Sequence, residues 1–149
     1  MSYPIGGKFF LRRAERGDAR AIRRLIHLVG INPIGLDWRR FWIVTKENGG
    51  LIACGQIKPH RDCSRELASI AVAPNWRGLG LARAVIERLC QEAEYPLHLT
   101  CRAPLGEFYR RFGFRTLSDA KDMPAYFRLA RGAALPAAGS RPGVGSRGR

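Results

Sequence analysis

Residues Glu66–Ala84 read ELASIAVAPNWRGLGLARA, and the organisation of the chain is read outward from them. The apolar run Glu66–Ala73 predicts a strand that stops at Pro74. Arg77-Gly78-Leu79-Gly80-Leu81-Ala82 then leads directly into an amphipathic helix, predicted from about Gly80 to Ala93, with Leu81, Val85, Ile86 and Leu89 on one face. In such a strand–turn–helix the glycines let backbone N–H groups approach an anion. The helix N-terminus adds about half a positive charge at the same place. A pyrophosphate is the natural ligand. A Walker A loop is excluded, because no Lys-Ser/Thr follows the glycines. A dinucleotide fingerprint fits poorly, since the strand comes mid-chain after a hairpin and no acidic residue ends a following parallel strand at the right distance. As spacing alone, a Gly-x-Gly turn serves equally as a tight connection.

Upstream, Lys8–Ala14 reads as a strand, and Asp18 is placed to cap a helix carrying Ile22, Leu25, Ile26 and Val29, which Gly30 ends. Asn32–Gly35 is a turn, and Leu36–Arg40 a short second helical piece. Strands Phe41–Lys46 and Leu51–Lys58 flank Glu47-Asn48-Gly49-Gly50, a hairpin signal. The loop Pro59–Ser64 leads into the Glu66–Ala73 strand. Downstream, Leu97–Arg102 predicts a strand, Leu105–Phe112 a helix closed by Gly113, and Phe114–Leu117 and Ala125–Leu129 the last two strands. This order is α+β, with a mixed, mostly antiparallel central sheet flanked by helices. Residues 1–130 form one domain. Residues 131–149, RGAALPAAGSRPGVGSRGR, form a low-complexity tail expected to be disordered.

The 149 residues carry 26 Lys+Arg against 12 Asp+Glu, a formal +14, and only four of the basic residues are lysines. Four arginines lie in the tail, which leaves +10 on residues 1–130. Such a chain suits anionic partners: nucleic acid, an acidic membrane surface or a phosphorylated ligand. Codon bias explains arginine dominance equally well. No stretch approaches the roughly 18–20 apolar residues of a membrane span, and the N-terminus lacks a signal peptide's apolar core. Cys54, Cys63, Cys90 and Cys101 are scattered without metal-ligand spacing. Reduced thiols, no metal and a cytoplasmic location are the plain expectations.

The run Ile70-Ala71-Val72-Ala73-Pro74-Asn75-Trp76-Arg77-Gly78-Leu79-Gly80-Leu81-Ala82 resembles the acyl-CoA signature of the GNAT (N-acetyltransferase) family. Arg77, Gly80 and Ala82 fall on its fixed positions. A second hallmark of the family is similar to Phe108-Tyr109-Arg110-Arg111-Phe112-Gly113-Phe114. The resemblance covers nearly everything except the tail. It implies acetyl-CoA as acyl donor and direct transfer to a primary amine of a small molecule or peptide. It also implies that Ile70, Ala71 and Val72 offer backbone groups to the thioester and pantetheine arm, one N–H serving the oxyanion. Gly78, Leu79, Gly80, Leu81, Ala82 and Arg83 would wrap the pyrophosphate, with Arg77 and Arg83 as candidate phosphate contacts or solvated helix-end arginines. Tyr109 resembles the family's general acid for the departing thiolate, although its apolar face with Phe108 and Phe112 also fits core packing. Many members carry Asn seven residues before that Tyr. Here the position is Arg102, so the contact is lost or the arginine reaches phosphate or an acidic substrate.

The general base is open between Glu66, His60 and water. Family members often place a Glu where this chain has Ala68; Glu66 lies two residues earlier on the same face of the strand. His60 is the other candidate, since imidazole titrates near neutral pH. Either also reads as ordinary surface chemistry, Glu66 by pairing with Arg65 or another arginine and His60 as an exposed loop residue. The acceptor site is expected in Ile31–Arg40 and the last hairpin, with Asp37, Trp38 and Tyr126 as substrate-binding candidates, an acid beside aromatics suiting a cationic amine. Trp38 and Trp42, four apart, equally suit the core. A non-catalytic acyl-CoA sensor and a basic nucleic-acid- or ribosome-associated module are the alternatives, the latter disfavoured by the lack of an RNA-binding motif. A homodimer is compatible with the family but demanded by nothing in the sequence.

Overall fold

The computed structural model describes residues 1–131 and 138–141. They form two compact units, Met1–Ile57 with Ala68–Glu92, and Lys58–Leu67 with Ala93–Arg149. The sheet is mixed and mostly antiparallel, with flanking helices, as the sequence predicts.

In the first unit the strands follow chain order: β1 (Ser2–Ile5), β2 (Phe9–Arg13), β3 (Phe41–Lys46), β4 (Leu51–Pro59) and β5 (Arg65–Val72), whose last residues belong here. Neighbours from β1 to β4 pair antiparallel. Every residue of Phe41–Thr45 is buried, because β3 is covered on both faces. Phe41 and Ile43 pack with Ile22, Leu25 and Ile26 of helix α1 (Ala19–Val29). On the other face lies helix α2 (Leu81–Glu92), where the Trp42 indole N–H donates to Glu92 at 2.9 Å. Helix α1 ends at Gly30 in the left-handed region, φ 71°, and Ile31 N–H donates back to the Ile26 carbonyl. Asp18 does stand at the start of α1, but its carboxylate turns back to Arg12 at 2.7 Å and to the Glu15 N–H instead of capping the helix.

Strand β1 is absent from the sequence reading. It pairs with β2, and the Arg88 guanidinium of α2 stacks over the Tyr3 and Trp42 rings at 4.1 and 4.7 Å.

The second unit holds the start of β5, then β6 (Leu97–Thr100), helix α3 (Gly106–Arg110), β7 (Arg115–Leu117), helix α4 (Ala125–Arg131) and β8 (Ala138–Arg141). The order is β5-β6-β8-β7, with β5 and β6 parallel at Glu66↔His98 and the other pairs antiparallel. Ala125–Leu129 is therefore helix, where the sequence suggests strand. The Phe127 and Arg128 N–H groups both donate to the Pro124 carbonyl, which opens the helix, and Phe127 is buried with Met123 against Leu117. The expectation of a wholly unstructured tail meets a strand at Ala138–Arg141. Its ladder is made of backbone groups, which composition does not reveal. Residues 132–137 and 142–149 of that tail lie outside the described residues.

At Gly55 the side chains of α2 pack directly on the backbone of β4. A Cβ there would lie 2.5 Å from Ile70 Cδ1 and 2.7 Å from Val85 Cγ1. Gly55→Ala should therefore destabilise the protein by about 1–3 kcal/mol through overpacking, more than the ~0.4–1 kcal/mol gained from a stiffer unfolded chain. The check is the urea midpoint; an unchanged midpoint would mean that Ile70 and Val85 move aside freely.

Candidate active site

Strand β5 carries its most unusual backbone in the middle. Ser69 sits at φ 57°, a left-handed conformation that costs a non-glycine residue roughly 1–2 kcal/mol. Local contacts hold it there. The Ser69 hydroxyl accepts from Gln56 Nε2 at 2.9 Å, and its carbonyl faces the Cys54 thiol at 3.6 Å. Cys54 is buried, and that burial pushes its thiol up to about 12, so it packs as an unreactive group. Such a break in the pleat re-aims the residues that follow it, here Ile70, Ala71 and Val72.

After Val72 the chain turns through Pro74–Trp76 into the glycine-rich loop. Gly78 and Gly80 have φ of 81° and 76°, while a Cβ at either would meet nothing within 4 Å. Glycine is required there by backbone conformation, not by space. Residues 77–80 are exposed, and the first i→i−4 bond of α2 runs from Ala84 N–H to the Gly80 carbonyl at 3.1 Å. The N–H groups of Leu81, Ala82 and Arg83 thus lack intrahelical acceptors. Open helix-start donors beside an exposed glycine turn are of the kind that suits an anion such as a pyrophosphate. The charged side chains beside it are partly engaged. Arg77 Nε donates to the Val72 carbonyl at 3.4 Å, and Arg83 pairs with Glu87 at 3.2 Å.

Asp37 is less available than its sequence position suggests. Its Oδ1 accepts from the Arg39 N–H and guanidinium, and its Oδ2 lies 3.8 Å from Arg40. These backbone and arginine bonds hold the carboxyl below its ordinary range. Trp38 packs against the α1 core with the Arg39 guanidinium 4.8 Å over its ring, and Trp42 is buried.

In the second unit, three candidates from separate arguments come together. His60 Nε2 and Glu66 Oε1 are 3.0 Å apart, both side chains nearly buried. The Tyr126 ring stacks on the His60 imidazole with centroids 3.5 Å apart and planes 12° off parallel. Glu66 does not pair with Arg65, which instead reaches Glu94. Beside the dyad stands Asp62, a residue to which the sequence assigns no role. Asp62 Oδ1 accepts from the Ser64 N–H, and Oδ2 accepts from the Tyr126 N–H at 2.9 Å, tying the 59–64 loop to the start of α4. The Ser64 hydroxyl first, then the Tyr126 amide, lower the Asp62 carboxyl to about 2. His98, paired with Glu66 across the parallel register, is buried and tilted against Phe127 at 5.2 Å. Burial lowers its imidazole, with Asp62 opposing and Arg115 assisting the shift.

Also in this unit, Tyr109 lies on α3, half-buried and edge-on to Phe108 and Phe114. Burial first, then the neighbouring Cys101, push its phenol up to about 12. Arg102 is exposed, and its carbonyl accepts from the Leu105 N–H at 2.9 Å.

The sequence model of the acetyltransferase (GNAT) domain matches residues 37–116, more than half of the chain. The chain belongs to the GNAT acetyltransferase family. No curated relative matches the sequence. Among solved structures it is similar to N-acetylglutamate synthase from Neisseria gonorrhoeae complexed with coenzyme A and N-acetyl-glutamate, at 20% identity and a TM-score of 0.74. That match covers 90% of this chain and 35% of the synthase, so this chain spans about a third of the larger protein. A Staphylococcus aureus GNAT acetyltransferase matches at 15% identity and a TM-score of 0.69, over 90% of this chain and 98% of that one. A Mycobacterium tuberculosis protein in complex with CoA matches at 24% and 0.66, over 86% and 82%. At these identities the likeness shows the GNAT fold. No helix among the described residues is long and apolar enough to cross a membrane.

The Asp62 anchor makes a pH prediction. A carboxyl lowered from 3.8 to about 2 on folding contributes stability that is fully present above pH 4 and lost as pH falls from about 4 towards 2. Asp62→Asn should flatten that part of the acid limb. Urea midpoints at pH 5 and pH 3 test it; an equal drop in both proteins would discard the assignment.

Proposed function

We propose that this GNAT chain is a cytoplasmic enzyme that transfers the acetyl group of acetyl-CoA directly to a primary amine of a small molecule or peptide. The observation that carries this reading is the open glycine turn at Gly78–Gly80 on the start of α2, whose backbone donors fit a pyrophosphate. On this reading the amides from Gly78 to Arg83 bind the pyrophosphate, and Arg77, Arg83 and Arg102 meet the remaining phosphate charge. Backbone groups of Ile70–Val72, re-aimed by Ser69, receive the pantetheine arm and thioester. One N–H among them lies ready for the oxyanion.

An alkylamine with a pKa near 10.4 is protonated at pH 7, and freeing it costs roughly 4–5 kcal/mol. The dyad in the second unit supplies a base. With Glu66 accepting from His60 Nε2–H, Nδ1 is the nitrogen left to take the ammonium proton, directly or through water. The amine lone pair forms the C–N bond, the tetrahedral oxyanion collapses, and the C–S electrons leave on sulfur. The nitrogen releases its second proton to solvent, from which Tyr109 is reprotonated after it serves the thiolate. Tyr109 gives sulfur its proton. A phenol held near 12 stays protonated at every working pH; being a weaker acid than a thiol, it protonates sulfur only as charge builds where water is excluded. Tyr126, stacked on His60, is one acceptor-side candidate, and the Ile31–Arg40 loop with Asp37 and Trp38 is another. L-Glutamate is a natural first acceptor to try, given the synthase likeness.

Coenzyme A release from acetyl-CoA, measured over L-glutamate, spermidine, aniline and a lysine-bearing peptide, tests the reading. Turnover on at least one amine is expected. No turnover with acetyl-CoA still bound would replace the enzyme with a non-catalytic acyl-CoA sensor. Tyr109→Phe should lower kcat by about 10²–10⁴-fold with acetyl-CoA affinity unchanged; equal turnover would return Tyr109 to the core. Glu66→Gln and His60→Gln should each lower turnover at pH 7, with the deficit closing as pH rises towards the acceptor's own pKa. A deficit independent of pH would remove the dyad from proton transfer.

A further inference from the structure

Gln56 is a polar residue in the middle of β4, and it is completely buried. Its amide nitrogen makes two hydrogen bonds. One is to the Gly35 carbonyl at 3.2 Å and the other to the Ser69 hydroxyl at 2.9 Å. The orientation of the amide is fixed by these contacts, since a flipped group would set its oxygen against the Gly35 carbonyl. Its Oε1 is buried and has no hydrogen-bond partner among the described residues. A glutamine kept only for packing would be replaced by an apolar side chain of the same shape without loss, because an unsatisfied buried acceptor is a standing cost. What offsets that cost is the pair of bonds, and they join two pieces of backbone distant in sequence.

Both pieces are conformationally special. Gly35 sits at φ 72° in the Ile31–Arg40 loop, and Ser69 at φ 57° in β5. On either side of Gly35 the loop holds itself together locally. Asn32 Oδ1 accepts from the Ile34 N–H, and Asp37 Oδ1 from the Arg39 N–H. Leu36 and Trp38 pack on the α1 core. Gln56 is what bonds this loop directly to the residue whose conformation aims Ile70–Val72. We infer that Gln56 is a positioning residue that clamps the Gly35 loop to the Ser69 kink, fixing the acceptor side of the reaction against the strand that receives the acyl group. The inference rests on the proposed acetyltransferase reading for the roles of the two pieces; the clamp itself stands on the two hydrogen bonds.

Gln56→Met keeps the length and volume of the side chain and removes both donors. Hydrogen exchange of the free protein reads the clamp without any turnover. The amides of residues 31–40 should exchange at least ten-fold faster in the variant, with those of α1 and α2 unchanged. In steady-state kinetics the KM for the amine that wild type accepts should rise at least ten-fold, while acetyl-CoA affinity stays within two-fold. Gln56→Glu supplies a further readout. A buried carboxyl is pushed towards its neutral form, and its O–H can replace one of the two donors. Its KM ratio to wild type should therefore shrink as pH falls, whereas the ratio for Gln56→Met should not. Unchanged loop exchange in a folded Gln56→Met protein overturns the clamp. Faster exchange with an unaltered amine KM overturns its role in acceptor positioning. Wild type that turns over none of the amines overturns the proposed function instead, and the exchange experiment still decides the clamp.

Discussion

A serine held at φ 57° in the middle of a strand is the constraint around which the first unit is organised. Left alone, Ser69 would relax into the extended conformation of its neighbours and recover roughly 1–2 kcal/mol. It does not, because the surrounding side chains over-determine it: Gln56 bonds its hydroxyl, the Cys54 thiol faces its carbonyl, and Ala71 two residues on is buried in the core. Residues kept in sparsely populated backbone regions concentrate where geometry serves a ligand. Here the kink immediately precedes the three residues that run into the glycine turn. The second residue of the same strand is Glu66, hydrogen-bonded to His60 and paired in register with His98. One eight-residue strand thus carries an acid–base candidate at one end and a strained backbone at its middle.

Much of this was legible in the chain, and the parts that were not share a physical cause. The strand–turn–helix of residues 66–92 was readable because glycines at positive φ and an apolar 3.6 period are local signals. The base candidates were readable singly, and their contact was not, since a sequence does not show that the 59–64 loop folds back to set His60 on Glu66. Asp62 was overlooked because its role lies in accepting the Tyr126 N–H 64 residues away. Ala125–Leu129 looked like strand from its apolar content. The deciding contact, Met123 and Phe127 on Leu117, is tertiary. Gln56 did carry a signal, a polar side chain inside the apolar run of β4, although nothing local named its two partners. Ser69 carried none.

The charge excess also divides. Arg12, Arg13, Arg39, Arg40, Arg65, Arg83 and Arg110 each lie within ion-pair distance of a carboxylate. On α1 and the turn before it, Arg16, Arg20, Arg23 and Arg24 are exposed and make no ion pair with the described residues. Exposed pairs contribute only about 0–1 kcal/mol each, so most of these arginines shape the electrostatic field more than they hold the fold.

Strand β1 bears on how the molecule behaves in a crowded solution. The outermost strand of the first unit is four residues long, and it includes Pro4, which has no amide hydrogen to offer. A short, proline-bearing border of this kind is a poor template for a foreign strand. Beneath it, the Phe9–Arg13 backbone is a longer row that already bonds to β1 on one side and β3 on the other. Tyr3, pinned by Arg88, keeps that cover closed. Peeling it away would bare a ladder of unmet donors and acceptors, so four inconspicuous residues guard the chain against stacking on its own copies.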